Sequence, residues 1–163
     1  MYQSETITKS FFNKLLGRFV LVLITASLIW MTVLVWTTIG QTSLPRVDVV
    51  LINIHHGDSI LIRSSKGETV LIDGGYPESG TLDYLKKHKI THIDTMITTH
   101  AHEDHIGGLP EVMRAIPVDK LIVNGDSINS SCFEDFENTA YELNIRKIVV
   151  RTGNRIPLWR IIL

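Results

Sequence analysis

The sequence predicts an α/β protein in which an N-terminal transmembrane helix is followed by a sheet with helices between its strands. Three observations carry this prediction. Residues 19–39 contain no charged side chain. From residue 46 onward, short β-branched runs alternate with helical patterns, as they do in sheets whose strands are joined by helices. Between one such run and a Gly-Gly pair, three histidines and two acidic residues lie within His100 to His105.

Composition limits the classes of function. The 163 residues carry a formal net charge of -1, which argues against a strongly basic nucleic-acid binder. Residues 46–163 hold 13 Lys and Arg against 16 Asp and Glu, so a phosphate-binding face would have to be local. Cys132 is the single cysteine, which excludes an internal disulfide. We expect it to be a small buried side chain and not a reactive thiol.

The first 45 residues predict a membrane anchor. The apolar run 19–39 has 21 residues, against a requirement of roughly 20 to cross the hydrocarbon layer. A cleaved signal peptide is the alternative, but its apolar segment is expected to be only ~7–15 residues long. Three basic residues against one acidic residue precede the run. The positive-inside rule therefore places residues 1–18 in the cytoplasm, 40–45 as a linker and 46–163 outside a single-pass cell-membrane protein.

Residues 46–163 predict alternating strands and helices. Six strands are predicted at residues 47–54, 59–63, 69–73, 94–99, 121–123 and 145–151. Three helices are predicted at residues 82–88, 109–116 and 133–143. Thr81 is a candidate N-cap of the first helix, Pro117 prevents continuation of the second, and Gly67 is expected at a left-handed hairpin position. The tail, residues 153–163, predicts a turn and the start of two more strands.

The histidine cluster predicts a site for two metal ions. His100 and His102 are two residues apart, so a strand that enters a tight loop would direct both side chains to one side. Asp104 and His105 follow where the loop enters a helix. We therefore assign one ion to His100 and His102 and the other to Asp104 and His105. Imidazole and carboxylate together favour zinc, iron or manganese over calcium.

Four ordered blocks resemble the metallo-β-lactamase superfamily, in the branch that includes the hydrolase domain of competence DNA-uptake proteins. Residues 54–62, which read Ile-His-His-Gly-Asp-Ser-Ile-Leu-Ile, resemble the Val-Gly-Gln-Gly-Asp-Ser/Ala block of that branch. Residues 71–75 end in its Asp-Gly-Gly. Residues 100–105 match its His-x-His-x-Asp-His metal motif, and residues 153–163 resemble its later strand pair. The resemblance covers roughly residues 46–163.

The resemblance implies an αββα sandwich, of which this chain holds the first half, and a hydrolase with two metal ions. Zinc is the expected metal and manganese the alternative. The ions would activate water for attack on an ester, an amide or a phosphodiester. Asp104 would be the catalytic residue, because it would hold that water as well as a metal. Structural support of the site would come from the residues Asp73, Gly74, Gly75 and Asp58.

Two departures from the family pattern affect the expected function. His55 and His56 stand where the family often has Gly-Gln. This imidazole pair could add a metal ligand, but we expect both to be surface or supporting residues. All seven histidines lie at or before His105, whereas family members supply a bridging Asp and at least one more His from the second half of the fold. Each ion would then have two side-chain ligands, and catalytic zinc usually has three.

Three functions therefore remain open. The first is a membrane-anchored metallohydrolase that acts outside the membrane, with nucleic-acid phosphodiesters as the candidate substrate. The second is a truncated, catalytically inactive fragment of a longer hydrolase. The third is a half-domain that needs a second chain or a second copy to complete the fold. A half-sandwich would expose an apolar sheet face and an edge, and a partner would cover them.

Overall fold

The computed structural model describes residues 2–39 and 46–157. Contacts between residues divide the chain into two compact units, Met1–Leu44 and Pro45–Leu163. The first unit contains one helix, α1 (Tyr2–Ile39), which starts well before the apolar run 19–39.

Helix α1 is long and apolar enough to cross a bilayer. The candidate span is Lys14–Thr37, 24 residues with their side chains exposed. Four hydroxyl groups within it donate to the backbone carbonyl three residues earlier; they belong to Thr25, Ser27, Thr32 and Thr37. Each of these hydroxyls therefore has an acceptor inside the helix, which is what a polar group needs in hydrocarbon. Length and apolar composition alone do not distinguish a membrane span from a signal sequence near the N-terminus.

The second unit is built on one mixed sheet. Within residues 46–157, the strands are β1 (Val47–Leu51), β2 (Ile60–Ser64), β3 (Thr69–Ile72), β4 (Thr95–Ile97), β5 (Lys120–Val123) and β6 (Arg146–Val149). They lie side by side in chain order. Strands β1 to β3 pair antiparallel, and β3 to β6 pair parallel. The helices are α2 (Thr81–Lys87), α3 (Glu103–Ile106), α4 (Leu109–Ala115) and α5 (Ser131–Glu142). The mixed α/β fold predicted from the alternating pattern is confirmed.

One face of the sheet forms the core together with the helices. Cross-strand neighbours on this face are Leu61, Leu71, Met96 and Leu121, and each is at most 1% exposed. They belong to one apolar cluster with side chains from all four helices of the second unit; the helical members include Leu85, Ile106, Leu109, Val112 and Phe136. Burial of these side chains contributes roughly 1.5–3 kcal/mol each, so the strands that lead to the histidine cluster rest on the best-packed part of the protein.

The opposite face of the sheet is also apolar. A single row of cross-strand partners crosses all six strands on this side; it consists of Leu51, Ile60, Ile72, Ile97, Ile122 and Ile148. Its members lie outside the apolar cluster that contains the helices. The exposed fraction of these residues ranges from 1% at Ile122, on the interior strand β5, to 77% at Leu51, on the edge strand β1. A sheet with two apolar faces is what the sandwich expectation requires.

Several local predictions are confirmed and two are wrong. Gly67 has a φ of +91°, and α4 ends at Ala115, before Pro117. Strand β4 ends at Ile97 and not at residue 99, because the Thr99 amide donates to the Asp73 side chain and not to a neighbouring strand. Thr81 does not cap α2 and is its first residue. The N-cap is Gly80, with a φ of +92°, a backbone conformation that glycine adopts without strain.

The predicted tail lies partly outside the described residues. A turn forms at Thr152 and Gly153, as expected, but no strand occurs in residues 154–157. Residues 158–163 lie outside the described part of the chain, as does the predicted linker 40–45.

Candidate metal centre

Asp73 links the end of β3 to the histidine loop, which is the segment 98–106 that follows β4 and includes α3. Its side chain is 2% exposed. Its Oδ1 accepts a hydrogen bond from the Thr99 amide at 2.9 Å, and its Oδ2 accepts one from the Thr99 hydroxyl at 2.6 Å. The same Oδ2 lies 2.9 Å from Nδ1 of His105. An ionised carboxylate only accepts hydrogen bonds, so the shared proton is on Nδ1 and the Nε2 lone pair of His105 is free to bind a metal.

The four predicted ligands form two close pairs. Nε2 of His100 and Nδ1 of His102 are 3.1 Å apart, and Nε2 of His105 and Oδ2 of Asp104 are 3.5 Å apart. Two ligand atoms of one tetrahedral zinc ion are expected about 3.3 Å apart, given bond lengths of about 2.0–2.1 Å. Both pairs match this separation, and the donor set of imidazole and carboxylate suits zinc and manganese.

The two pairs also lie beside each other. The ring centroids of His100 and His105 are 3.9 Å apart, and ligand atoms of His100, Asp104 and His105 all lie within 4.8 Å of one another. His102 joins the group through its contact with His100. The structure therefore brings together all four residues that the sequence analysis proposed as ligands.

Backbone hydrogen bonds tie three loops together beneath the cluster. The Gly74 amide donates to the carbonyl of His105 at 2.7 Å, and the Gly75 amide donates to the carbonyl of Asp58 at 3.0 Å. The Asp58 amide in turn lies 3.3 Å from the carbonyl of Asp104. Asp58 is an exposed residue and contacts the site through its backbone. Gly74 and Asp58, which were expected to support the site, each form a backbone hydrogen bond with the histidine loop, and Gly75 forms one with Asp58.

Gly57 allows the first of these loops to approach the second. Its φ is +87°, in the left-handed region that glycine favours. A Cβ at this position would lie 1.8 Å from the carbonyl oxygen of Asp104. A residue with any side chain would therefore push away the backbone that carries a proposed ligand.

Sequence reasoning missed three hydroxyl groups at the site. The Thr99 hydroxyl lies 3.1 Å from Nδ1 of His100 and 3.3 Å from Nδ1 of His105, besides its bond to Asp73. The hydroxyls of Ser79 and Thr81 donate to the carbonyl of Gly74 at 2.8 and 2.9 Å. The position of Thr99 directly before the first histidine was a usable signal. Ser79 and Thr81 gave none, because their contacts depend on how residues 75–80 fold back.

Two other expectations concern residues near the cluster. His55 and His56 are exposed and are not among the three residues whose ligand atoms converge. They line a groove with Tyr76, whose ring centroid is 6.1 Å from that of His56. Cys132 is half-buried on α5. Burial, with smaller contributions from Glu103 and Asp135, raises the pKa of its thiol, which keeps the thiol protonated and poorly nucleophilic.

Comparison with known proteins places this geometry in a family. The sequence profile of the metallo-β-lactamase superfamily matches residues 52–160. The matched stretch contains strands β2 to β6, the Asp-Gly-Gly turn and all four proposed ligands.

Two kinds of curated relative match shorter segments. A hydroxyacylglutathione hydrolase from Vibrio parahaemolyticus is 39% identical over 57 residues, which are 35% of this chain and 22% of that protein. A ribonuclease J from Thermus thermophilus is 37% identical over 71 residues, which cover 37% of this chain and 12% of that protein. The chain thus spans about a fifth of the first relative's length and less of the second.

Solved structures of the same family also match. A metallo-β-lactamase from Staphylococcus aureus is 19% identical, with a TM-score of 0.45, over 74% of this chain and 33% of that one. The Rm3 metallo-β-lactamase is 28% identical, with a TM-score of 0.40, over 45% of this chain and 28% of that one. Because the family profile covers about two thirds of its residues, this chain belongs to the metallo-β-lactamase superfamily.

Proposed function

We propose that this chain supplies the metal-binding half of a membrane-anchored hydrolase that cleaves phosphodiesters of nucleic acid. The observation that carries the proposal is the convergence of His100, His102, Asp104 and His105 on one partly exposed segment held by Asp73. Two observations favour phosphodiesters. The block at residues 54–62 resembles that of the competence DNA-uptake branch, and one matching relative is a ribonuclease.

Each proposed ligand has a defined role. His100 and His102 would hold one ion, and Asp104 and His105 the other, with zinc the best fit and manganese the alternative. When bound, such ions activate water and neutralise developing negative charge. The Asp104 side chain is 40% exposed, whereas that of His105 is 13% exposed. Of the two ligands of the second ion, Asp104 is therefore the more open to solvent water, and its second carboxylate oxygen would orient that water and accept its proton.

The hydrolase is proposed to need a second half. His100, His102, Asp104 and His105 provide two side-chain ligands for each of the two proposed ions. Catalytic zinc usually has three protein ligands and a water. We therefore propose that a second chain or a second copy supplies further ligands and covers the apolar sheet face. Alone, the chain is expected to bind zinc or manganese weakly and to show little or no turnover.

A catalytically inactive protein is the second candidate function, and the same ligand count favours it. The two candidates differ in one expectation. A half-site completed by a partner gains activity when that partner is present, whereas an inactive protein gains none. If the partner is a second copy, activity per chain will rise with protein concentration.

We propose that α1 anchors the protein in the cell membrane with residues 46–163 outside. Support comes from the length of the span Lys14–Thr37, from the hydroxyls that are satisfied within the helix, and from the basic residues that precede the apolar run. With this topology, the proposed phosphodiesterase site would act on nucleic acid outside the cell membrane.

Hydrolysis by the full chain in detergent tests the substrate. The chain carries a tag without histidine, and zinc or manganese is added to a p-nitrophenyl phosphodiester, a hydroxyacyl thioester and a β-lactam over a range of protein concentrations. We expect phosphodiester turnover that is low and rises with concentration, and that disappears in His102→Ala. Faster thioester turnover that depends on His102 would overturn the phosphodiester proposal. Activity that survives His102→Ala would come from a contaminant. No activity at any concentration would favour the second candidate function, a catalytically inactive protein.

A further inference from the structure

A second group of metal-binding side chains lies at the other end of the sheet. The histidine loop follows the carboxyl end of β4, whereas His92, Asp94 and Asp119 precede β4 and β5. Ligand atoms of these three residues all lie within 4.8 Å of one another. Nε2 of His92 and Oδ2 of Asp119 are 3.1 Å apart, close to the roughly 3.3 Å expected for two ligand atoms on one tetrahedral ion.

The sheet fixes this group by its register. His92 and Asp94 flank Ile93, and Asp94 lies in a bend directly before β4. A parallel bridge pairs Ile93 with Val118, so Asp119 is the cross-strand neighbour of Asp94. The Ile93 amide donates to the carbonyl of Pro117, and its carbonyl accepts from the Asp119 amide, both at 3.0 Å. The three side chains are therefore held by paired backbone and not by a mobile loop.

The Asp94 carboxylate has the hydrogen bonds of an oriented ligand. Its Oδ2 accepts from the Thr69 amide at 2.7 Å and from the Thr69 hydroxyl at 3.0 Å. The Thr69 hydroxyl also lies 2.8 Å from the carbonyl of His92. A partner that hydrogen-bonds a carboxylate in this way fixes its orientation for a metal. One oxygen is used by Thr69, and the other has no hydrogen bond among the described residues.

The charges of this group favour a cation. Asp94 and Asp119 are two carboxylates just before adjacent strands, and like charges opposite each other destabilise a sheet unless the charge is balanced. A divalent ion would balance it and would join the segments before β4 and β5. One imidazole with two carboxylates is a mixed donor set that suits zinc or another borderline transition ion better than calcium or magnesium.

We propose that His92, Asp94 and Asp119 form a third divalent-metal site that binds zinc, separate from the histidine loop and structural in role. Two of the three residues are exposed, so the ion keeps at least one water and binds without entry through the core. The site joins the segments before β4 and β5, and the other end of β4 leads to the proposed catalytic cluster. Its role is to stabilise the sheet, and it takes no part in hydrolysis.

Cobalt binding in a chain that lacks the first cluster tests the proposal. The full chain, in detergent and with a tag without histidine, carries His100→Ala, His102→Ala and His105→Ala. We expect it to retain one Co²⁺ per chain, measured by equilibrium dialysis and by visible absorption, with Zn²⁺ displacing it and equal Ca²⁺ not. Adding His92→Asn or Asp119→Asn should weaken Co²⁺ binding about ten-fold or more, by comparison with losses known for altered metal sites.

His88→Asn is the matched control, because His88 is also an exposed histidine of the second unit and stacks on Tyr84 with ring centroids 4.2 Å apart. It should leave the retained Co²⁺ unchanged. Equal Co²⁺ binding with and without His92 would overturn the proposal. If the triple variant does not fold, the comparison is made in the otherwise unaltered chain. There, His92→Asn must lose one equivalent relative to His88→Asn, and equal stoichiometry would overturn the proposal as well.

Discussion

Nδ1 of His105 and Oδ2 of Asp73 are 2.9 Å apart, although 32 positions separate the two residues in the sequence. This contact connects the end of β3 to the loop after β4. It orients a proposed metal ligand from a carboxylate that solvent does not reach.

Replacing Asp73 with Asn tests this contact. Asparagine tolerates the left-handed backbone of this residue, whose φ is +57°, so the change acts mainly on charge and hydrogen bonding. We expect zinc affinity to fall about 10–100-fold, because His105 loses the partner that orients it. Stability should fall by about 1–3 kcal/mol, because a buried hydrogen bond is lost. Zinc competition and urea unfolding measure the two effects. Asp126→Asn, at an exposed carboxylate, is the control, and unchanged zinc affinity in Asp73→Asn would contradict the expectation.

Replacing Gly57 with Ala should disturb the histidine loop. The added methyl group would collide with the carbonyl of Asp104. Gly67→Ala is the matched control, because Gly67 also has a positive φ but no atom lies within 4 Å of its added Cβ. The control should cost about 1–2 kcal/mol from backbone strain alone. Gly57→Ala should cost more in urea unfolding and should also weaken zinc binding. Equal losses in the two variants would show that the contact with Asp104 is not important.

The orientation of α1 can be tested with protease on intact cells. We expect cleavage of residues 46–163, because the basic flank keeps the N-terminus inside. Permeabilised cells show that the protease can cut this part, and a membrane fraction shows that the chain is inserted. A variant with Lys9, Lys14 and Arg18 changed to Gln should give a mixed orientation. Full protection of residues 46–163 in an inserted chain would reverse the proposed topology.

Glu111, in the first turn of α4, gives a pH prediction. Burial raises the pKa of its carboxyl above the ordinary 4.5, and the nearby charges of Asp83 and Glu78 raise it further. The folded state therefore binds this proton more tightly than the unfolded state does. The contribution of Glu111 to stability is complete below pH 4.5 and falls as the pH rises through the pKa of the folded state. Glu111→Gln removes that loss. It should stabilise the protein at pH 7, with the gain disappearing as the pH falls below 4.5.

Glu134→Gln is the control for this prediction. Glu134 is also in the first turn of its helix, α5, but is exposed. It should lose only the favourable interaction with the helix dipole, about 0.3–1 kcal/mol. Urea unfolding between pH 4 and pH 7 compares the two variants. A gain for Glu111→Gln that is independent of pH would have another cause.

Local patterns in the sequence predicted the parts of the fold that depend on neighbours in the chain. The β-branched runs gave all six strands, and Pro117 gave the end of α4. The spacing within residues 100–105 was enough to propose four ligands. The contacts that hold those ligands could not be predicted from local patterns, because they join residues that are distant in the sequence. Asp73 was expected to support the loop, but its contacts with Thr99 and His105 depend on how β3 pairs with β4.

The group of His92, Asp94 and Asp119 shows the same limit. The first two residues could be recognised as neighbours from their spacing. Asp119 joins them only because Ile93 pairs with Val118, and no feature of the sequence specifies that register. The early end of β4 has a similar cause, since the Asp73 side chain takes the hydrogen bond that would have continued the strand.

The strand order of the sheet has a consequence for how the protein is made. Each strand pairs with the strand synthesised just before it, so the sheet can grow at one edge as the chain leaves the ribosome. The hairpins β1–β2 and β2–β3 form from near neighbours, which is the fastest kind of strand pairing. Asp73 and the whole histidine loop precede β5. The proposed ligands can therefore come together before β5 and β6 have paired with the sheet.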